Sequence, residues 1–112
     1  MSYDLINELH DKAALLDKAI TALGNRGRAW AKAECDYRVA LAQRILIERD
    51  NGMPVTIISD VCRGDKEIAD LKFKRDTADV LYKSAQEAIQ SIKLQMRLLD
   101  NQIGREIGNI RD

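Results

Sequence analysis

From Ile6 onward the chain returns to an apolar position at alternating steps of three and four residues: Ile6, Leu9, Ala13, Leu16, Ile20, Leu23, Gly27, Trp30, Glu34, Tyr37, Leu41 and Arg44. Ten of these twelve are apolar, aromatic or glycine. That spacing keeps to one face of an α-helix, whereas a half-buried strand would alternate every second residue. No proline interrupts the series. A second series with the same steps runs Ile68, Leu71, Arg75, Ala78, Tyr82, Ala85, Ile89, Ile92, Met96, Leu99 and Ile103. Between them, Asp50-Asn51-Gly52-Met53-Pro54 stops a helix, because Asn-Gly favours a C-terminal cap and proline cannot continue the ladder.

These signals predict one helix over about 3–50, a connector over about 51–64 and a second helix over about 65–107, all in a single domain spanning residues 1–112. Ser2 suits the first N-cap and Asp65 the second, with Asp4 in a first turn where it favours the helix dipole. In the connector, Val55-Thr56-Ile57-Ile58-Ser59-Asp60-Val61-Cys62-Arg63-Gly64 reads as a short helix, with Pro54 near its first turn and Gly64 as its C′ residue. Gly24-Asn25-Arg26-Gly27 is the weak point of the first helix, since each glycine costs about 1 kcal/mol against alanine. It marks a kink or a close-packing site, with a break as the alternative. The second helix is expected to fray near Gly104 and Gly108.

The fold class is therefore all-α: a long antiparallel helical hairpin with a short helical connector. Each helix also carries a further apolar set: Leu5, Leu15, Ala19, Ala22, Ala33, Ala40 and Leu46 on the first, and Leu81, Ala88 and Leu98 on the second. One neighbouring helix cannot cover both stripes, so hairpins are expected to associate into a four-helix bundle, a homo-oligomer for which a two-fold dimer is favoured. Glu34, Arg44 and Arg75 fall on the seam, where an unpaired charge is costly. If residue i lies opposite about 115 − i, Arg75 falls between Glu34 and Arg44. A register-fixing Glu34–Arg75 pair, or side chains reaching to solvent, is then expected.

Composition narrows the function. Eighteen basic residues balance eighteen acidic ones, and neither residues 1–52 nor 53–112 carries a net charge. That argues against a general nucleic-acid coat or a polybasic membrane anchor. One histidine and two cysteines, Cys35 and Cys62, provide no disulfide framework and no recognisable metal site. The thiols are expected to stay reduced in a cytoplasmic setting. Met1-Ser2-Tyr3-Asp4 opens with no secretory-signal pattern, and no apolar run approaches the length of a membrane span.

No catalytic or cofactor site is legible. Gly24-Asn25-Arg26-Gly27-Arg28 lacks the spacing and the Lys-Ser/Thr of a phosphate loop. His10 adjoins Asp11, but neighbouring residues on a helix point in different directions. The carboxylates Asp76 and Asp79, and Asp65 and Glu67, lie among lysines and arginines, the pattern of a solvated helix face rather than a dry acid–base cleft.

Two surfaces are candidates for binding. The connector gathers Met53, Ile57, Ile58 and Val61, with Val55, at the tip of the hairpin. These residues either cap the bundle or form an apolar patch for a protein partner, which Phe73 could join. Arg63, Lys66, Lys72, Lys74 and Arg75 form a basic cluster around Phe73, with Arg26, Arg28 and Lys32 as a second patch. Together they would suit a nucleic-acid-binding accessory factor.

The stretches Gly52-Met53-Pro54-Val55-Thr56-Ile57-Ile58, Arg63-Gly64-Asp65-Lys66-Glu67-Ile68-Ala69, Phe73-Lys74-Arg75-Asp76, Leu81-Tyr82-Lys83-Ser84-Ala85-Gln86-Glu87-Ala88-Ile89 and Leu98-Leu99-Asp100-Asn101-Gln102-Ile103 resemble small uncharacterised helical proteins encoded by bacteriophages and prophages of Gram-positive bacteria. The resemblance implies a phage or prophage origin and an intracellular setting, and carries no catalytic residues. It also implies an association with early DNA-metabolism genes. In length the chain is similar to secreted WxG-type helical hairpins, but it departs from their Trp-x-Gly turn: Trp30 lies mid-helix and the turn reads Asn51-Gly52-Met53-Pro54. The sequence therefore points to a non-enzymatic phage accessory protein that acts as an oligomeric protein-interaction module, with nucleic-acid binding in replication or recombination as the alternative.

Overall fold

The computed structural model describes the backbone of residues 2–111 and the side chains of residues 3–109. The described chain is helical throughout, as α1 (Ser2–Asp50), α2 (Val55–Arg63) and α3 (Lys66–Arg111), with no strand among the described residues. The Ser2 side chain, expected to cap α1, lies outside the described residues.

α1 does not break at Gly24–Gly27; it continues to Asp50. Gly27 is instead a close-packing site. A Cβ at that position would lie 3.3 Å from Cε1 of Tyr82, whose ring stacks on Trp30 with centroids 6.3 Å apart. A side chain there would require the tyrosine ring to give way by a few tenths of an ångström.

The end of α1 is a Schellman motif. Met53 N–H donates to Glu48 O at 3.0 Å, Gly52 N–H donates to Arg49 O at 3.1 Å, and Gly52 takes φ +86°. Pro54 then occupies the N-cap position of α2, with φ −58°. The short helix expected for the connector is present. Gly64, however, ends it in the right-handed region (φ −82°, ψ −9°) rather than as a left-handed C′ residue. Its N–H reaches Asp60 O and Val61 O, both at 3.2 Å, which closes the last turn without a reversal of φ. Asp65 precedes α3 and its carbonyl accepts the Ala69 N–H at 2.8 Å, as an N-cap residue does. α3 does not end near residue 107 but passes through Gly104 and Gly108 to Arg111.

The chain divides into two compact units. One comprises residues 1–25 and 83–112, and the other residues 26–82. In the first, the early part of α1 runs antiparallel to the late part of α3, and the buried side chains are Ile89, Ile92, Leu99 and Ile103. In the second, the late part of α1, the whole of α2 and the early part of α3 bury Tyr37, Ile58, Cys62 and Ile68. Most other seam residues are half-buried, including Leu9, Leu16, Leu23, Leu41, Leu71 and Tyr82. Ile6 and Ile20, expected on the seam, are exposed, while Leu5 and Ala19 beside them are half-buried. A straight helix drifts by about 20° per heptad against a 3.5-residue repeat. In the N-terminal turns that drift favours Leu5 and Ala19 over Ile6 and Ile20, while Leu9, Ala13 and Leu16 stay half-buried.

Gly52→Ala is expected to destabilise the chain by about 1–2 kcal/mol, because it forces a side chain into the left-handed region. The check is the urea midpoint followed by circular dichroism.

Candidate functional site

A polar cluster lies on the seam of residues 26–82 and centres on Arg75. Its Nε and Nη2 donate to Oδ1 of Asp76 at 3.1 and 3.0 Å, and Nε also lies 3.5 Å from Oε2 of Glu34. The guanidinium carbon sits 4.7 Å from the centre of the Tyr37 ring, a cation–π geometry on a buried aromatic. Glu34 in turn accepts from Arg38 Nε at 2.6 Å. The Glu34–Arg75 pair expected from the sequence is present. About three turns further toward the connector, Arg44 lies 3.3 Å from Glu48 and 3.6 Å from Asp65.

These pairs fix the register. Glu34 with Arg75 and Arg44 with Asp65 set residue i opposite 109 − i; Trp30 with Tyr82 and Tyr37 with Arg75 set it opposite 112 − i. The alignment expected from the sequence, 115 − i, is thus displaced by about a turn. α2 occupies the connector, so the last turn of α1 extends past the start of α3 instead of ending level with it.

The ion pairs also shape the titration. The Lys72 ammonium and then the Arg75 guanidinium hydrogen-bond the Asp76 carboxylate and hold its pKa below the ordinary aspartate value. The Arg75 pKa is raised, first by its hydrogen bond to Asp76. Lys32 is raised by its hydrogen bond to Asp36, 2.8 Å away. Asp76 is therefore tuned away from the near-neutral pKa that a general acid needs. His10 lies exposed on α1, and no cluster of three or more His, Cys, Asp or Glu suited to a metal occurs among the described residues.

The expected partner residues separate. In α2, Ile58 and Cys62 point inward, 5% and 1% exposed, and Met53 is half-buried. Ile57 and Val61 remain exposed beside them, as does Val55 at 71%. α2 is therefore both cap and surface: the i, i+4 pair Ile58/Cys62 seals the end of the unit and the neighbouring pair Ile57/Val61 faces out. Ile58 is consequently unavailable to a partner, whereas Val55 belongs to the patch. Phe73 is 72% exposed on the side of α3 roughly opposite Ile68, Leu71 and Arg75, with Val80 exposed one heptad on.

The basic cluster does not come together. Lys74 lies about 160° round α3 from Lys72 and about 100° from Arg75, whereas Lys72 and Arg75 meet on Asp76. Lys72 pairs with Asp76 at 2.8 Å, and Arg75 is half-buried among its partners. Arg63 lies 3.9 Å from Asp60. Lys66 and Lys74 are exposed. In the second patch, Arg26, Arg28 and Lys32 are exposed, with Lys32 paired to Asp36. Cys35 is exposed and Cys62 buried, both as free thiols. No helix among the described residues is long and apolar enough to cross a membrane.

Comparison of the chain with protein-family models, with curated proteins and with solved structures finds no match.

Sequence reasoning missed the Arg75–Tyr37 contact. The signal was available in the two residues' shared seam position and in the level set by the Glu34 pair.

Two outcomes follow from the cluster. A double-mutant cycle of Glu34→Gln and Arg75→Gln, read by thermal unfolding, is expected to give a coupling of about 1 kcal/mol, because both side chains are largely shielded. Asp76 has a folded pKa below its unfolded one, so its contribution is present above the unfolded value and lost as pH falls through the folded one. The urea midpoint of Asp76→Asn should therefore differ from that of the parent chain near pH 6 and converge with it as pH falls through the folded pKa of Asp76.

Proposed function

We propose that this chain is a non-enzymatic accessory protein of a phage or prophage, acting in the host cytoplasm as an oligomeric helical protein-interaction module. The observation that carries this reading is the apolar surface left open by so small a core. Among the described residues, many large apolar side chains stand exposed, including Val39, Leu46, Val55, Phe73, Val80 and Leu98. Exposed apolar side chains in such number mark surfaces that other protein covers.

In this reading, one part of the surface is covered by other copies of the chain, and the α2 patch of Val55, Ile57 and Val61, with Met53 at its edge, meets the partner. Association is driven by desolvation of these side chains, and the flanking charges limit wrong registers. The resemblance of the sequence to small phage-encoded helical proteins supports the origin and the setting.

Binding to nucleic acid, through Arg63, Lys66, Lys72, Lys74 and Arg75, is the weaker reading. Those side chains face different directions, and the shortest charge contacts of Lys72 and Arg75 are already with carboxylates.

Light scattering of the full chain across concentration, with and without a short DNA duplex and a single strand, distinguishes the two. The expected result is a dimer or higher homo-oligomer whose mass is unchanged by either DNA and by salt between 50 and 300 mM, about a sixfold range. A complex with DNA that weakens steeply over that range would replace this reading with the nucleic-acid one.

A further inference from the structure

α2 carries two apolar pairs at helical spacing, Ile58/Cys62 and Ile57/Val61, set one residue and about 100° apart round the same short helix. The structure buries the first pair and leaves Ile57 and Val61 each 47% exposed. The buried pair is not the more apolar one. Each pair holds an isoleucine, and the outer pair has a valine where the inner has a cysteine. Hydrophobic burial therefore supplies little preference for the pair that is inside.

Packing alone holds α2 as it lies. Among the described residues, no hydrogen bond or ion pair joins an α2 side chain to α1 or α3. Its one ion pair, Asp60 with Arg63 at 3.9 Å, lies within the helix. No side chain caps its first turn. Gly52, at φ +86°, stands shortly before it and Gly64 directly after it. A groove of about 430 Å³ lies beside the helix. Asp60, Val61 and Cys62 form one part of its lining, and Arg44, Glu48 and Asp65 another. Val61 thus borders open space.

We propose that α2 has two positions and rolls between them by about 100°, exchanging Ile58/Cys62 for Ile57/Val61 as the pair that seals the unit. In the rolled position Val61 takes the place of Cys62, and Ile57 that of Ile58. Ile58 moves to the half-buried place of Ser59, and Cys62 to the exposed place of Arg63. Asp60 follows Val61 to the groove, whose charged lining and open side keep the carboxylate hydrated, so the roll buries no charge. The glycines at either end absorb the change in dihedral angles. A protein bound on Ile57 and Val61 holds α2 in the position seen, because the roll buries the side chains it contacts. The roll itself does not require such a partner.

The test is the reaction of Cys62 with a small aromatic disulfide in the full chain carrying Cys35→Ser, which leaves one thiol. Circular dichroism confirms that each variant is folded. At 1% exposure the thiol reacts only when α2 moves, so the rate reports the population of the open form. Val61→Ser and Ile57→Ser each remove an apolar side chain that only the rolled position buries. Each is expected to slow labelling about tenfold. Ile58→Ser is expected to quicken it severalfold, since the position seen buries that side chain more deeply than the rolled one does.

Labelling left unchanged or quickened by Val61→Ser and Ile57→Ser would overturn the roll, because detachment of α2 as a whole exposes Cys62 without burying either residue. Labelling of the parent chain no faster than its global unfolding, followed by circular dichroism in urea, would also overturn it and leave α2 a fixed cap. Neither outcome touches the oligomeric reading, which the light-scattering mass decides separately.

Discussion

A helix with a single neighbour can bury one stripe of its surface, and that limit governs this molecule. In each of the two units, one stretch of α1 lies against one stretch of α3, and both carry apolar residues on more than the shared seam. Among the described residues, eight hydrophobic side chains are buried. Much of the rest of the seam is half-buried, and the further stripes stay at the surface. Where a third element is present, it is short: α2 closes one end of residues 26–82 by inserting Ile58 and Cys62 and leaves Ile57 and Val61 outside. The turn that delivers α2 to that end depends on one left-handed residue, Gly52, and on the reversed hydrogen bonds of Gly52 and Met53.

With so little core, polar residues on the seam take on the task of choosing the register. Arg75 sits over Tyr37 with carboxylates of Glu34 and Asp76 beside it. A slide of one turn would part Glu34 from Arg75 and leave the guanidinium without either its ring or its inter-helix carboxylate. The Trp30–Tyr82 stack adds a second marker, made possible by the missing side chain of Gly27. Leucine and alanine contacts would tolerate neighbouring registers almost equally well; an ion pair and an aromatic stack at fixed separation do not.

The same arrangement bears on function. Charges that satisfy one another along the helices produce little net field for steering a polyanion. The apolar residues left outside include two sets: the outer face of α2, and the outward line of Phe73 and Val80.

The helical class, the two long helices, the stop at Asn51-Gly52, the short connector helix and the Glu34–Arg75 pair were all legible in the sequence, because periodicity, turn chemistry and the cost of a lone seam charge act locally or through one partner. Other features required the tertiary structure. Gly27 is recognised as a close-packing site only once Tyr82 is seen against it. The register moved by a turn because α2 takes up length that a plain loop would not. The division of α2 into an inward and an outward pair was decided by how far the helix rolls on its neighbours; with apolar side chains at Ile57, Ile58, Val61 and Cys62, the pattern permitted either pair to be buried. Dispersal of the basic cluster is likewise a matter of direction. Residues close in sequence share a helix but not a face, and which face meets the neighbouring helix is settled by packing alone.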